Sequence, residues 1–407
     1  MKNSILNCSL VLFVLCVLVR PVWSGCIDLE TQLQISNNDN GFQVTYFDSY
    51  KIVKNIRANE NYVLYCTSQP PNDTSLPENI KGFFQIPVKN VASLDQTTIT
   101  YLEILGVEST LKYVADRNSI TSPCLQNSSI IQTFNESSGL ENVDIVFTTS
   151  TSLKGSKYVT ISLSDDLSPL SNAEWIKFIS VFFNSEKKAN NAYSHIESVY
   201  NCNTNNLNNI PQDSKMSIAW VSYNFSNSSF TISGKTIIVS DLKDLHNIID
   251  KVDFIIDQTE FSSSNNTFDN WQHIFGYHDI TSNIPIFITY RRVFRPQKIL
   301  NEFGFDDWTE KFLARPDFAL LDLISIQYPQ YQSSYSKIWL NNFSNEDEPI
   351  ILTDADCADY NNSTTTSFVE SGLAGFGSGI WLLLWARRKY EERFVELKDE
   401  PEVQMDK

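Results

Sequence analysis

The chain lacks the short motifs on which many catalytic and nucleotide-binding sites are built. None of GxGxxG, GxxxxGK[ST], HExxH or GxSxG occurs in its 407 residues, so it offers no phosphate cradle, zinc-protease helix or nucleophile elbow. Histidine is scarce: His195, His246, His273 and His278 are the full set. His273, His278 and Asp279 fall close together near Trp271, and with His246 they have the donor types that a transition metal takes. These residues belong to one half of the chain, and no metal site is assigned to them. Asp354, Asp356 and Asp359 carry the oxygens that calcium uses, but they flank Cys357 and read as a polar loop. Positive charge is also short, with 31 Lys and Arg against 48 Asp and Glu and a net charge of −17. That balance argues against nucleic acid or an anionic membrane surface as a partner. Plentiful acids on an acidic surface serve solvation, so no catalytic residue and no cofactor is assigned, and a paired-carboxylate hydrolase ranks last among the functions considered.

Long apolar runs are confined to the two ends. Lys2, the unbroken apolar stretch Leu10 to Val19, and Val22-Trp23-Ser24 before Gly25 read as a signal peptide over residues 1–24. Ser371 to Ala386 forms a second apolar run, followed at once by Arg387, Arg388 and Lys389. As a helix it would cover about 24 Å, short of the roughly 30 Å of a hydrocarbon core, and the flanking basic side chains could reach the headgroups. Basic residues on that side place it in the cytoplasm. The expectation is a single-pass protein in the plasma membrane or another membrane of the secretory pathway, with a transmembrane helix over 371–386 and a cytosolic tail over 387–407. Ser371, Gly375 and Gly379 have the small-xxx-small spacing that permits helix pairing in lipid.

Between those ends lie sequons at Asn72, Asn127, Asn135, Asn224, Asn227, Asn265, Asn342, Asn361 and Asn362, which are acceptors where they are exposed in a glycosylating lumen. Residues 359–370 read as a glycosylated stalk. After signal removal the cysteines are Cys26, Cys66, Cys124, Cys202 and Cys357. They should pair outside the cell, and their odd number leaves one thiol over. Spacing does not fix the connectivity; Cys66 with Cys124, both in the first half, is the preferred disulfide bond.

The middle of the chain carries a helical pattern. Ser171 and Glu174 have capping-box spacing. Trp175, Phe178, Ile179, Phe182 and Phe183 then recur at helical intervals, and the stripe continues through Ala189, Ala192, Tyr193, Ile196, Val199 and Tyr200. On either side, strand-like runs alternate with helical ones. The first half has Tyr62 to Cys66, Phe83 to Val88, Leu111 to Val114, Val143 to Phe147 and Tyr158 to Leu163, with a helix over Leu94 to Leu105. The second has Ile218 to Tyr223, Thr236 to Val239, Val252 to Ile256 and Ile284 to Tyr290, a helix over Leu242 to Ile249, and a strand-like run with a helix start over Pro316 to Ile326. The fold class expected is α/β: two βα-rich lobes, residues 25–167 and 203–358, joined by one long helix over 168–202, plus the C-terminal span.

Several stretches carry a family resemblance: Tyr62-Val63-Leu64-Tyr65-Cys66-Thr67, Phe84-Gln85-Ile86-Pro87-Val88, Thr97 to Gly106, Ser168 to Trp175, and Arg315-Pro316-Asp317 through Asp322-Leu323-Ile324 to Tyr328-Pro329. With the order of elements, they resemble the helical-backbone class of periplasmic binding proteins, which deliver cobalamin, siderophores, haem or metal ions to bacterial ABC importers. The resemblance covers about residues 40 to 357 and is nearest to secreted eukaryotic, fungal-type relatives. It implies non-catalytic capture of a small molecule in an interlobe cleft, with a small lobe rotation about a stiff helix. Chains of that class end soon after the second lobe, whereas this one adds a stalk, a span and a tail and has no ATP-binding motif, so a transport role does not carry over.

In open α/β sheets, ligands bind beyond the carboxyl ends of the strands. Applied here, that rule nominates Thr67, Gln69, Lys89 and Asn90 in the first lobe and Trp220, Tyr223 and Asp241 in the second. Trp271 is added as an aromatic that could stack on a flat ligand. Arg291 and Arg292 follow an expected strand in an acidic lobe and suit a carboxylate or phosphate. The partners expected are a small-molecule ligand, the membrane, and a membrane protein met through the span or tail. The competing expectation is a surface glycoprotein with a degenerate cleft that acts by protein–protein contact.

Overall fold

A computed structural model describes residue 27, residues 31–35 and residues 41–357, apart from 73, 127, 165–166, 212–213, 234–236, 240, 262–265 and 332–334. The expected signal peptide, stalk, transmembrane helix and tail, and Cys26, lie outside the described residues. Among those described, no helix is long and apolar enough to cross a membrane.

The first lobe is built on two sheets. Strands β1 (Phe42–Tyr46), β2 (Tyr50–Asn55), β3 (Glu60–Tyr65) and β4 (Ile80–Gln85) form one in that order, antiparallel except for the parallel β3–β4 pair. Strands β5 (Val91–Ser93), β6 (Leu111–Val114), β7 (Gln132–Thr133), β8 (Ile145–Thr148) and β9 (Tyr158–Thr160) form the other, all parallel, in the order β7-β6-β5-β8-β9. The chain therefore reverses its direction of winding between β5 and β8, which makes their carboxyl ends a switch point. The Gln96–Leu105 helix leaves β5 with Asp95 as N-cap, accepting from the Thr98 N–H, and stops at Gly106, whose φ of +64° suits a residue without Cβ.

The second lobe carries β10 (Ile218–Asn224), β11 (Ser229–Ser233), β12 (Ile237–Val239), β13 (Phe254–Asp257) and β14 (Val293–Arg295). The remaining strands are β15 (Ile299–Asn301), β16 (Asn341–Asn342) and β17 (Ile350–Leu352). Its main sheet runs β12-β11-β10-β13-β14-β16, with a parallel β10-β13-β14 centre, and β15 pairs with β17 apart from it. Two expectations change here. Ile284 to Tyr290 is not a strand: after Pro285 the chain turns into a short helix, Ile286–Thr289. Pro316 to Ile326 is helical throughout, as Pro316–Gln327, with proline at the start where its missing N–H costs nothing.

The single rod expected from Ser171 is several pieces. Pro169–Ala173 and Trp175–Ser180 are helical, a 3-10 turn spans Val181–Phe183, and Asn184 sits in the left-handed region at φ 53°. A left-handed residue cannot continue an α-helix. The N-cap is Ser168, not Ser171, and Glu174 instead pairs with Lys177 at 2.6 Å in the interior. The Lys177 ammonium also lies 3.9 Å from the Tyr193 ring centre. Trp175, Phe178 and Phe182 pack with Phe42, Tyr62 and Phe84 in the first-lobe core. The lobes are joined by the helix Glu186–Asn208, about 35 Å long at 1.5 Å per residue. Ala189, Ala192, Tyr193 and Ile196 belong to the first-lobe core, whereas Val199 packs against a second-lobe cluster and Asn206 donates to the Tyr331 hydroxyl at 2.7 Å.

Candidate functional site

The carboxyl edge of the parallel first-lobe sheet is where a cleft was expected, and the second lobe covers part of it directly. The helix Gln96–Leu105 after β5 and the loop 115–122 after β6 meet the segment 301–311, which begins at the last residue of β15. Asn301 donates to the Asn118 and Ile120 carbonyls at 2.7 and 2.8 Å. The Thr100 hydroxyl donates to the Glu310 carbonyl at 3.0 Å, the Thr121 N–H to the Glu310 carboxylate at 2.7 Å, and the Thr121 hydroxyl to Asp307 at 2.8 Å. Asp307 also accepts from the Trp339 indole N–H at 2.8 Å. Asp307 and Glu310 are buried.

Cys124 and Cys357 are disulfide-bonded across this seam, with Cα atoms 4.6 Å apart. The expected Cys66–Cys124 bridge is thereby corrected: folding brings the end of the second lobe onto the 123–126 turn of the first, and Cys66 is bonded to another cysteine. Cys202 is free and exposed.

Two carboxyls are trapped in the seam. Burial pushes Glu103 up to about 7, an effect that Lys311 and the Ser122 hydroxyl only partly offset. Burial pushes Glu310 up to about 8, again against the pull of Lys311. Raised, paired carboxyls are what a hydrolase would use. Here the Glu310 side chain has no exposed surface and accepts from the Thr121 N–H across the seam, while Glu103 accepts from the Ser122 hydroxyl of its own lobe, so the pair is packed into the seam and not presented to a substrate.

An open cavity of about 450 Å³ lies instead at the amino edge of the same sheet, wholly within the first lobe. Its walls come from the end of β4 and the residues just before β5, β8 and β9: Phe83, Gln85, Pro87, Lys89, Asp144 and Lys157. One Asp144 oxygen accepts the N–H groups of Lys89 and Asn90 at 2.8 and 2.9 Å, which fixes the backbone at the entrance. Lys157 is anchored on the Leu140 and Val143 carbonyls at 2.8 and 2.7 Å. The Lys89 side chain is exposed and makes no ion pair among the described residues, and Phe83 stands 44% exposed beside it. The Gln85 amide reaches back to the Thr67 carbonyl at 3.0 Å, and the Thr67 hydroxyl donates to the Gln69 carbonyl at 2.6 Å. Thr67, Gln69, Lys89 and Asn90 thus gather around one region. Lys89 and Asn90 were placed after a strand of the parallel sheet; they precede β5, because β4 belongs to the other sheet.

The second-lobe candidates do not join them. Trp271 has no exposed surface and stacks on Phe268 and Phe275 in the core, so it cannot meet a ligand. Trp220 packs on Trp308, and Tyr223 on Phe225 and Phe230. Asp241 is the N-cap of Leu242–Ile249, accepting from the Lys243 N–H. Arg291 follows a helix, not a strand, at φ 52° and donates to the Ser344 carbonyl at 3.2 Å. Arg292 lies over the rings of Phe254 and Tyr290. At the carboxyl end of β14 the guanidinium is that of Arg295, buried against Asp257 at 2.6 Å and 3.4 Å from the Phe343 ring centre. Of the sequon residues described, Asn72, Asn135, Asn224 and Asn227 are exposed. The Asn342 amide instead donates to the Arg291 carbonyl and accepts from the Ser344 hydroxyl.

No family model matches the chain, and no curated protein does. Among solved structures it is similar to a periplasmic binding protein from Veillonella parvula DSM 2008, with 12% identity over 62% of this chain and 89% of that one and a TM-score of 0.43. A possible iron-binding (periplasmic solute-binding) protein from Staphylococcus epidermidis ATCC 12228 shows 14% identity over 60% and 99%, with a TM-score of 0.41. A periplasmic heme binding protein from Pseudomonas aeruginosa shows 11% over 65% and 99%, with a TM-score of 0.42. With identities this low and TM-scores below 0.5, function has to be read from this chain's own residues.

Proposed function

We propose that the chain is a non-catalytic binding protein, displayed on the outer side of a membrane of the secretory pathway, which holds a small anionic ligand in the first-lobe cavity. The observation that carries this reading is the cavity itself: about 450 Å³, entered past an exposed aromatic ring and an ammonium with no acid partner among the described residues, on a chain of net charge −17. A concave pocket in which a few polar groups are fixed in place is the usual form of a small-molecule site, and here the lining mixes polar and apolar side chains. Lys89 supplies the charge for a carboxylate or phosphate, Phe83 a surface for a flat or apolar portion, and Gln85 a hydrogen-bonding edge. The ligands to try first are those the sequence resemblance implies: siderophores, haem, cobalamin and metal chelates. Display outside the membrane rests on the signal peptide and on the span over 371–386. The Cys124–Cys357 bridge and the hydrogen-bonded seam oppose the lobe rotation expected for a cleft receptor, so binding proceeds with the lobes fixed.

The experiment is native mass spectrometry of the secreted, deglycosylated chain. A discrete additional mass, lost on denaturation and missing from Phe83→Ala/Lys89→Ala, supports the reading. A bare polypeptide mass that no member of the ligand set increases would overturn it. The same cross-linked seam favours a second reading, a rigid surface glycoprotein that acts by protein–protein contact, and that outcome would leave it standing.

A further inference from the structure

We propose that Asp269, His273 and His278 form a surface site for a divalent late transition metal such as Zn²⁺, remote from the first-lobe cavity and independent of it. One ligand atom from each lies within 4.8 Å of the others. Asp269 and His273 stand one turn apart on the helix Phe268–Ile274, with the His273 Nε2 3.7 Å from one Asp269 oxygen; the His278 Nδ1 is 3.1 Å from the other. Tetrahedral zinc with ligands at about 2.0 to 2.1 Å sets its donors about 3.3 Å apart, close to the carboxylate–imidazole spacings of 3.7 and 3.1 Å, while the two imidazoles must turn toward one another. Two imidazoles and a carboxylate are a donor set that zinc, copper and nickel accept. A water would complete the shell.

The backbone that carries these donors is held firmly. Trp271, between Asp269 and His273, and Phe275 and Tyr277, between His273 and His278, are buried in the second-lobe core. The Tyr277 hydroxyl is bonded to Asp250, and Thr267 caps the helix through the Asn270 N–H. Gly276, at φ +75°, reverses the chain; a Cβ there would press on Leu242 and the His246 ring at 3.1 to 3.3 Å. That reversal lays His278 beside His273, their rings stacked 3.5 Å apart. Stacked rings point their lone pairs along parallel planes, so metal binding requires them to tilt until the nitrogens converge. Both side chains are exposed enough for that rotation, at 53% and 37%. His246 is not a member: its Nε2 is 2.7 Å from the Phe275 carbonyl and its ring stacks on Tyr277. Asp279, with an oxygen 3.6 Å from the His278 Nε2, is a spectator that biases the ring orientation.

The test is equilibrium dialysis of the full chain against Zn²⁺, with the bound metal counted by mass spectrometry. A Cys202→Ser background removes the exposed thiol as a competing ligand. The expected result is one zinc per chain, bound at least tenfold more weakly in His273→Ala and in His278→Ala and unchanged in Asp279→Asn. Zinc retained with the same affinity in both histidine variants, or no zinc retained by the parent chain, would overturn the proposal. Thermal melting of each variant separates loss of the site from loss of the fold, since both side chains are solvent-facing and their removal should leave the melting temperature in place.

Discussion

Removing the interlobe disulfide tests whether the two lobes unfold as one body. Cys124 and Cys357 are separated by 233 residues, so the bridge closes most of the described chain into a loop. In the chain-entropy treatment a loop of that length restricts the unfolded ensemble by about 5 kcal/mol at 25 °C, and measured effects commonly fall below such figures. The native seam keeps its hydrogen bonds from Asn301, Thr100 and Thr121 whether or not the sulfurs are joined. The double substitution Cys124→Ser/Cys357→Ser should therefore act mainly on the unfolded chain. Urea unfolding followed by tryptophan fluorescence should show one transition in each protein, with about 3 to 5 kcal/mol less stability in the variant and a slope no smaller than the parent's. Two separate transitions in the parent, or a loss below about 1 kcal/mol, would refute the reasoning, because the bridge would then not be constraining a jointly unfolding pair.

Further predictions concern the interior. Glu103 and Glu310 are raised above the ordinary carboxyl range, so the folded chain keeps protons that the unfolded chain has released. Their contribution is fully present below the unfolded value and is lost as pH rises through about 7 to 8, with a slope near 1.4 kcal/mol per pH unit for each proton difference. Urea unfolding from pH 5 to 9 should show that decline, and Glu103→Gln/Glu310→Gln should flatten it; an unchanged slope in the double variant would contradict the assignment. Asp322, fully buried, accepts from the N–H groups of Ile338, Trp339 and Leu340 and from the Tyr335 hydroxyl at 2.7 to 2.9 Å. Asp322→Ala leaves these donors unmatched and should cost about 3 to 5 kcal/mol, read by the same unfolding measurement; a cost under about 1 kcal/mol would mean that water replaces the carboxylate.

What the sequence made legible was local. Strand-like runs located β3, β6, β8 and β10, and the helical run Leu94 to Leu105 located the helix Gln96–Leu105 to within two residues. The stripe from Trp175 to Phe183 was rightly apolar, but a periodic stripe does not show a left-handed residue such as Asn184, so one rod was expected where the chain has several pieces. Ile284 to Tyr290 has strand composition, and the helix there follows from Pro285 and the packing of Phe287 in the core. The site was harder to read. Which strand joins which sheet depends on contacts between distant residues, so the departure of β4 from the parallel sheet, and with it the true position of Lys89, left no sequence signal. Trp271 illustrates a similar limit: a large aromatic suits a core and a ligand wall equally, and only its neighbours Phe268 and Phe275 decide. Asp269 was missed as a partner of His273, although their i, i+4 spacing is visible once the Phe268–Ile274 helix is known.

Calorimetric titration with siderophores, haem, cobalamin and metal chelates would show whether the first-lobe cavity holds a ligand. Parent, Lys89→Ala and Arg291→Ala chains would be compared. One of these ligands should bind, Lys89→Ala should weaken binding at least tenfold without lowering the melting temperature, and Arg291→Ala should leave it unchanged. Binding lost in Arg291→Ala and kept in Lys89→Ala, or no binding by any of the set, would contradict a ligand site in that cavity.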